Sequence, residues 1–141
     1  MPNIRWLLAL ITRVWRVLYL KTNGLLGGRI FWMRFLLLTT VGRRTGMRRV
    51  TPLLYVLDGD HWIVAASNAG DERSPAWWLN LTGQPEARVQ VGDQHHEVRA
   101  RRAEGEELGR LWALLEESYR FYSDYRKRTT REIPIVVLER L

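Results

Sequence analysis

Residues 37–52 read LLTTVGRRTGMRRVTP and place four arginines and two glycines between two apolar, β-branched runs. The flanking runs favour strands, and the glycines allow loop conformations that a side chain forbids. Arginine presents a planar fork of donors that matches phosphate or carboxylate, and it stays charged at any working pH. The glycine spacing matches neither a P-loop nor a dinucleotide-binding fingerprint. The stretch therefore predicts a hairpin whose loop binds an anion, or else a basic turn that is only solvated.

The charge of the chain is distributed unevenly. Its 141 residues are 46% hydrophobic, which is enough for one domain with a core. Residues 1–57 contain ten Lys or Arg and no acidic residue, whereas residues 58–141 have a net charge of −3. This asymmetry indicates an anionic partner, which is a membrane surface, a nucleic acid or an acidic cofactor.

Several site classes are excluded or disfavoured by composition. The chain has no cysteine, so it has no disulfide, thiolate metal site or cysteine nucleophile, and a reducing cytoplasm is compatible. His61, His95 and His96 are too few and too poorly spaced for a metal site, and we expect none. No Ser-His-Asp or paired-carboxylate pattern stands out. If the protein is an enzyme, a cofactor is expected to supply the chemistry.

The first 22 residues form a segment of their own. Residues 4–20 have helical periodicity, with Arg5 and Arg16 on a narrow polar stripe of an otherwise apolar surface. The run is shorter than a membrane span and contains three arginines, so transmembrane insertion is not expected. Two interpretations remain: the helix packs on its own domain or a partner subunit, or it lies on anionic lipid.

The remaining pattern predicts antiparallel hairpins with helices outside them. Strands are expected over 31–41, 50–57, 61–67, 87–91, 94–102 and 133–138, with helices over 76–81 and, after an acidic start at Glu104, around 108–115. Ser74 is predicted to cap the first of these helices. Because strands and helices do not alternate regularly, a small barrel is favoured over a doubly wound sheet.

Two further groups could carry chemistry. Tyr119, Tyr122 and Tyr125 recur every three residues, so their rings could stack on a flat ligand while their hydroxyls donate a hydrogen bond or a proton. Ser67 and Asn68 lie at the end of a predicted strand, where loops often supply site residues. Packing of the tyrosines and a plain polar turn at Ser67 are the alternatives.

These pieces occur together in a recognisable order. The runs LLTTVGRRTGMRRVTPLLY, VAASNAG and SPAWWLNL, the spaced tyrosines and REIPIVVLE make residues 23–141 resemble the deazaflavin-dependent nitroreductase family of actinobacteria. The resemblance implies an α+β, mainly antiparallel fold. That fold is a small split β-barrel, like the FMN-binding split barrels, with flanking helices and here an extra amphipathic N-terminal helix. It also implies the deazaflavin coenzyme F-420, which has a phosphate and an oligoglutamate tail, in preference to FMN.

The resemblance assigns roles residue by residue. It implies that the phosphate and the acidic tail of the coenzyme are held by Arg43, Arg44, Thr45 and Arg49. The ring would pass Pro52 and Leu53 and lie in a pocket formed by Ser67, Asn68, Trp77 and Asn80. The substrate side would be closed by Tyr119, Tyr122 and Tyr125. Ser67, Tyr122 and Tyr125 are the implied catalytic residues, since each hydroxyl could supply a proton. The loop differs from the common Gly-Arg-Lys-Ser-Gly of the family but keeps its charge and its hydroxyl, and Ser74 replaces a common histidine.

The implied activity is transfer of a hydride from the reduced coenzyme to a flat, electron-poor acceptor such as a quinone or a nitroaromatic. A non-catalytic carrier of deazaflavin, FMN, haem or a fatty acid is the alternative, because the fold alone does not establish turnover. A nucleic-acid partner is not expected, since the tryptophans do not interleave with the basic cluster. We expect a cytoplasmic monomer or homodimer that can lie at the inner face of the cell membrane through its N-terminal helix.

Overall fold

The computed structural model describes residues 13, 16, 29–30, 33–68 and 71–141. The strands of these residues are β1 (Arg29–Ile30), β2 (Met33–Val41), β3 (Arg48–Leu54), β4 (Val56–Asp58), β5 (His61–Ala65), β6 (Glu86–Val91), β7 (Gln94–Arg102) and β8 (Ile135–Arg140), and the helices are α1 (Ala76–Gly83), α2 (Gly105–Ser118) and α3 (Phe121–Arg128). Arg13 and Arg16 are helical. The rest of the helix predicted over 4–20, and the expected boundary after residue 22, lie outside the described residues. None of the described helices is both long and apolar enough to cross a bilayer.

The strands form one antiparallel sheet in the order β3-β2-β6-β7-β8-β5-β4, with β1 also paired to β2. β3 pairs with β2, from Leu54 opposite Phe35 to Arg48 opposite Val41, whereas β4 pairs with β5. Only the buried Tyr55 separates β3 from β4. The two edges of the sheet are therefore consecutive segments of the chain, and the sheet curls into a split barrel. The predicted fold class is confirmed.

The barrel encloses one hydrophobic core. Leu36, Leu38, Val64, Val89 and Val136 are fully buried and form its centre. They come from four strands and follow the alternation expected where one face of each strand points inward. The core therefore fixes the register of the strands, because a shift by one residue would turn these side chains outward.

A second core lies between the helices and the outer face of β5 and β8. Leu111 and Leu115 of α2 are fully buried there against Ile63 and Val137. Because β5 and β8 are covered on both faces, their sequences are almost continuously apolar rather than alternating. This second core holds α2 and α3 on one side of the barrel.

The strand after the arginines differs from its prediction. A single strand over 50–57 is expected, but the structure has β3 and β4, which pair with different strands. β3 also begins earlier, because the Gly42 N–H donates to the Met47 carbonyl at 2.8 Å and closes the loop before Arg48. Arg48 and Arg49 therefore belong to a strand. β8 begins two residues later than predicted, at Ile135, and β5 ends two residues earlier than predicted, at Ala65.

The helices require two corrections. The prediction that Ser74 caps α1 is wrong: Pro75 occupies the N-cap position with φ −67° and ψ 147°, and no side chain caps the helix. The Pro75 carbonyl accepts hydrogen bonds from Trp78 and Leu79 instead. Helix α3 was not predicted, because its sequence FYSDYRKR lacks aliphatic residues and the periodicity that reveals α2. Tyr122, which is buried, anchors it to the second core.

Candidate functional site

The loop between β2 and β3 is closed by its own hydrogen bonds. The Gly46 N–H donates to the Gly42 carbonyl at 2.8 Å, and the Met47 N–H donates to the Thr45 hydroxyl at 3.2 Å. A Cβ on Gly42 would lie 3.0 Å from Thr45 Oγ1 and 3.1 Å from the Met47 carbonyl oxygen, and Gly46 has a φ of +71°. The shape of the loop therefore requires both glycines. Residues 42–49 are called the arginine loop below.

Helix α1 holds the start of the arginine loop. The Arg43 N–H donates to Asn80 Oδ1 at 3.1 Å, and Asn80 Nδ2 donates to Thr40 Oγ1 at 3.1 Å. Asn80 is only 4% exposed, so these hydrogen bonds satisfy an amide group that is otherwise costly to bury. The sequence suggested a role for Asn80 at a ring pocket, and the structure places it as the link between α1, β2 and the loop.

The arginine loop and α1 border a cleft of about 860 Å³, a volume typical of small-molecule and cofactor sites. Its lining comprises Arg16, Gly42, Arg43, Arg44, Thr45, Arg48, Arg49, Val50, Thr51, Ala76, Trp77 and Asn80. This space is called the arginine cleft. The arginine cleft contains all four residues that were expected to bind the phosphate and the acidic tail. It also contains Trp77 and Asn80 of the expected ring pocket.

The arginine cleft is strongly positive. Arg43, Arg44, Arg48 and Arg49 are all exposed, and none of them forms an ion pair within the described part of the chain. Residues 1–57 contain no Asp or Glu, so no carboxylate is near them in sequence. Six arginines of residues 71–141 do form ion pairs, as Arg88 does with Glu97 at 2.8 Å. The guanidinium groups of the cleft are therefore available to an anionic ligand.

Arg16 is a cleft residue that the sequence did not assign to the site. Its guanidinium donates to the Val50 carbonyl at 3.1 Å, and its side chain is half-buried. The contact brings a helical residue 34 positions away in sequence to β3. The sequence signal for it was the excess of positive charge in residues 1–57, which does not by itself say which cation reaches the site.

The apolar wall of the arginine cleft comes from Trp77. This side chain is 5% exposed and packs in the barrel core with Leu81, while it also contributes to the cleft. Pro52 and Leu53 follow the lining residues along β3 and are half-buried, and Leu53 packs against the barrel core. Neither belongs to the lining of the cleft, so their contact with a ring stays a prediction.

Ser67 and Asn68 lie at the end of β5, outside the lining of the arginine cleft. Ser67 is 7% exposed. Asn68 has a φ of 47°, a left-handed conformation that Asn tolerates better than most residues, and its side chain donates to the Arg73 carbonyl at 3.0 Å. The two residues thus follow β5, and the Asn68 side chain joins this segment to Arg73.

The three tyrosines lie together but are not equally accessible. Tyr119 and Tyr122 are 3% and 4% exposed, whereas Tyr125 is half-buried. The ring of Tyr122 meets those of Tyr119 and Tyr125 edge-on, at centroid distances of 6.0 and 5.9 Å. All three belong to the second core or pack against it. The three rings therefore form one cluster within and beside the second core.

The hydroxyl of Tyr119 has a structural partner on each side. It donates to the Tyr55 carbonyl at 2.9 Å and accepts from the Arg34 N–H at 3.2 Å. Tyr55 lies where the chain passes from β3 to β4, and Arg34 is the second residue of β2. Burial raises the pKa of Tyr119 and of Tyr122, so both phenols stay protonated at neutral pH. Tyr119 thus ties α2 and α3 to the barrel, and its expected role toward a substrate stays a prediction.

The histidines are dispersed over the barrel. His61 Nε2 lies 3.9 Å from Glu139, and the ring of His96 lies 5.0 Å from that of Trp62. Within the described ranges, no three His, Asp or Glu side chains are grouped as metal ligands would be.

A family model described as F420H(2)-dependent quinone reductase matches residues 11–140. The chain belongs to this family. The match includes the arginine loop, α1, the turn at Ser67 and the tyrosines, so it confirms the resemblance to deazaflavin-dependent reductases that the same segments indicated. It also extends into the N-terminal segment, which the resemblance had left out.

Individual relatives agree with the family. An F420H(2)-dependent quinone reductase of Mycobacterium tuberculosis is 38% identical over 134 residues, which are 92% of this chain and 90% of the relative. A solved F420-H2-dependent reductase is 36% identical with a TM-score of 0.69, covering 74% of this chain and 93% of its own. Another solved structure, described as a domain-swapped dimer, is 32% identical with a TM-score of 0.72 and covers 90% and 94%.

Proposed function

We propose that this protein is an F420H(2)-dependent quinone reductase that binds the deazaflavin coenzyme in the arginine cleft. The observation that carries the proposal is a set of four arginines that have no acidic partner among the described residues, beside a tryptophan, in a cleft of about 860 Å³. The donor set fits the coenzyme, because guanidinium groups suit its phosphate and carboxylates, and the indole suits a flat ring. Family membership supplies the coenzyme and the acceptor class.

The residues of the cleft have distinct tasks in this proposal. The phosphate and the acidic tail are bound by Arg43, Arg44 and Arg49, together with the Thr45 hydroxyl. Arg48, to which the resemblance assigns no role, adds a fourth positive charge. Asn80 holds the start of the loop, so that the backbone of the loop does not have to be ordered when the coenzyme binds.

On the ring side, Trp77 provides an apolar surface that excludes water, and Asn80 lies next to it on α1. When bound, the reduced coenzyme supplies a hydride. The protein has to orient the donor carbon toward the acceptor and to provide a hydrogen bond where negative charge develops.

Reduction of a quinone to a quinol consumes a hydride and a proton, so a donor at the quinone oxygen is required. We assign this hydrogen bond to Ser67. Tyr125 is the second candidate donor, because it is the most accessible of the three tyrosines. Tyr122 is less suited, since its ring packs edge-on against those of Tyr119 and Tyr125 in the second core. A nitroaromatic is a second acceptor of the same flat, electron-poor class, and its reduction is part of the proposal.

Two measurements test the function. Fluorescence titration with F-420 and, separately, with FMN is expected to show a strong preference for the deazaflavin. Mixing the protein with reduced F-420 and menadione is then expected to give acceptor-dependent oxidation, to be compared with a nitroaromatic in place of menadione. Binding of deazaflavin without turnover of any of several quinones would instead favour a carrier.

We also propose that the protein lies on the inner face of an anionic membrane as a peripheral monomer or homodimer. Met47 is 62% exposed in the arginine loop, beside cationic side chains, which is a combination that suits a lipid headgroup region. Sedimentation with vesicles of neutral or anionic lipid tests the surface, and light scattering with size-exclusion chromatography tests the oligomeric state. Equal recovery with both lipids would contradict an electrostatic membrane contact.

A further inference from the structure

Arg131 lies just before β8 and binds the turn that follows β5. Its Nη2 donates to the carbonyls of Ala66 and Ser67, both at 3.0 Å, and its Nε donates to the Asp71 carbonyl at 3.0 Å. One guanidinium group thus holds three backbone oxygens on the segments 66–68 and 71–73, which together we call the Ser67 turn.

The Ser67 turn has a second anchor on the same segment. The Glu72 carboxylate accepts from the Thr130 N–H at 3.0 Å and from its hydroxyl at 3.1 Å. These hydrogen bonds lower the pKa of Glu72, so the anchor is charged at neutral pH. The Ala66 N–H donates to the Pro134 carbonyl at 2.9 Å, which extends the pairing of β5 with β8 up to the turn. Contacts from residues 130–134 therefore fix the turn at both of its ends.

We propose that Arg131 is a positioning residue for hydride transfer, because it sets where Ser67 stands relative to the ligand. The inference rests on the proposed function, in which the Ser67 hydroxyl contacts the acceptor. Arg131 acts through the backbone of the turn and not by contact with coenzyme or quinone. Helix α1, which follows the turn, is also held by Asn80 through Arg43 and Thr40. Loss of Arg131 is therefore expected to displace Ser67 more than the coenzyme cleft.

The geometry explains why arginine is needed at this position. Three acceptors on one turn match the planar fork of a guanidinium, whereas the ammonium of lysine is a point charge on a flexible stem. Arg131 Nη1 is buried and has no hydrogen-bond partner in the described part of the chain. A buried donor without a partner is costly, and the three hydrogen bonds from the rest of the guanidinium group offset that cost.

The test compares three variants. Arg131→Lys alters the guanidinium contacts to the turn, and Glu72→Gln weakens the second anchor, the contact between Glu72 and Thr130, at an exposed residue. Arg102→Lys is the matched control. Arg102 pairs with Glu132 at 3.4 Å, so its variant perturbs the same segment without touching the Ser67 turn. Hydrogen exchange of the amides of residues 66–68 and 71–73 is measured without ligand. Coenzyme Kd, and kcat and KM for menadione, are measured on the same proteins.

Arg131→Lys is expected to speed exchange in the Ser67 turn and to lower kcat about tenfold or more, with coenzyme Kd changed less than kcat. Glu72→Gln is expected to act in the same direction but less, and Arg102→Lys to leave both readouts unchanged. Unchanged exchange in Arg131→Lys, or faster exchange with unchanged kcat, would overturn the inference. Failure of the wild type to bind deazaflavin would refute the proposed function instead, and the exchange experiment would still show whether Arg131 holds the turn.

Discussion

The side chain of Asn80 accepts a hydrogen bond from the backbone N–H of Arg43 at 3.1 Å, across 37 positions of sequence. Through this contact a buried residue of α1 determines where an exposed cationic loop begins. The same amide donates to Thr40, so both of its polar ends are used within the barrel. The fold therefore fixes the backbone at the start of the arginine loop.

Replacing Asn80 by alanine is expected to affect stability and binding together. The change leaves the Arg43 N–H and the Thr40 hydroxyl without their partner, which costs about 1 to 3 kcal/mol of unfolding free energy. Urea unfolding measures this loss, and F-420 titration is expected to show weaker binding. Thr82→Ala is the control, since Thr82 is an exposed residue of the same helix. Equal losses in the two variants would show that the link has no special role.

Removal of two cations from the cleft is expected to weaken coenzyme binding. In Arg44→Ala/Arg49→Ala, each lost charge-assisted contact is worth about 1.5 to 3 kcal/mol, so Kd should rise by about tenfold or more. Because the contacts are ionic, Kd of the variant should also depend less on salt. The control Arg99→Ala removes an exposed cation from β7, outside the cleft, and should leave Kd unchanged. An unaltered affinity in the double variant would reduce the loop to a basic turn.

Glycine substitutions separate loop geometry from helix propensity. Gly46→Ala puts a side chain at a φ of +71°, and we expect a destabilisation of about 1 kcal/mol together with weaker F-420 binding. Gly109→Ala, in α2, has open space around the added methyl group and is expected to stabilise by about 0.5 to 1 kcal/mol. Thermal unfolding of both variants checks the opposite signs, and the same sign in both would be inconsistent with this account.

Tyr119→Phe tests whether the phenol serves the fold or the reaction. The variant loses a hydroxyl that joins the Tyr55 carbonyl and the Arg34 N–H, so the unfolding free energy should fall by about 1 to 3 kcal/mol. Since this hydroxyl is used within the protein, kcat should stay close to wild type at temperatures where the variant is folded. A large fall in kcat without a loss of stability would instead support the substrate role suggested by the sequence.

The buried phenols also predict an alkaline limit to stability. Tyr119 and Tyr122 have pKa values raised by burial above the ordinary value of 10.0. Above about pH 10 the unfolded chain releases these protons while the folded chain retains them, so stability falls as pH rises. Urea unfolding at a series of alkaline pH values measures the slope, and Tyr122→Phe should reduce it. A slope that is the same in Tyr122→Phe would exclude Tyr122 as its source.

Some features were readable from local sequence because local chemistry decides them. The turn at Gly42 and Gly46 needs residues that tolerate unusual backbone geometry, and the four arginines beside it favour an anionic ligand through their charge alone. The hairpin of β6 and β7 was predicted from the alternation of apolar and polar residues along its strands. α3 was missed, because rings that pack into a distant core hold it and no aliphatic periodicity marks it.

The sequence by itself determined the split barrel, the family and the positive charge of the cleft, since hydrophobic alternation, motif order and net charge are properties of the chain in one dimension. Only the tertiary structure decided which residues meet: Asn80 with Arg43, Arg16 with Val50, and Arg131 with the Ser67 turn. It likewise buried Tyr119 and Tyr122 while leaving Tyr125 half-buried. The physical reason is that each of these contacts joins distant segments, and closure of the barrel, rather than any local preference, brings them together.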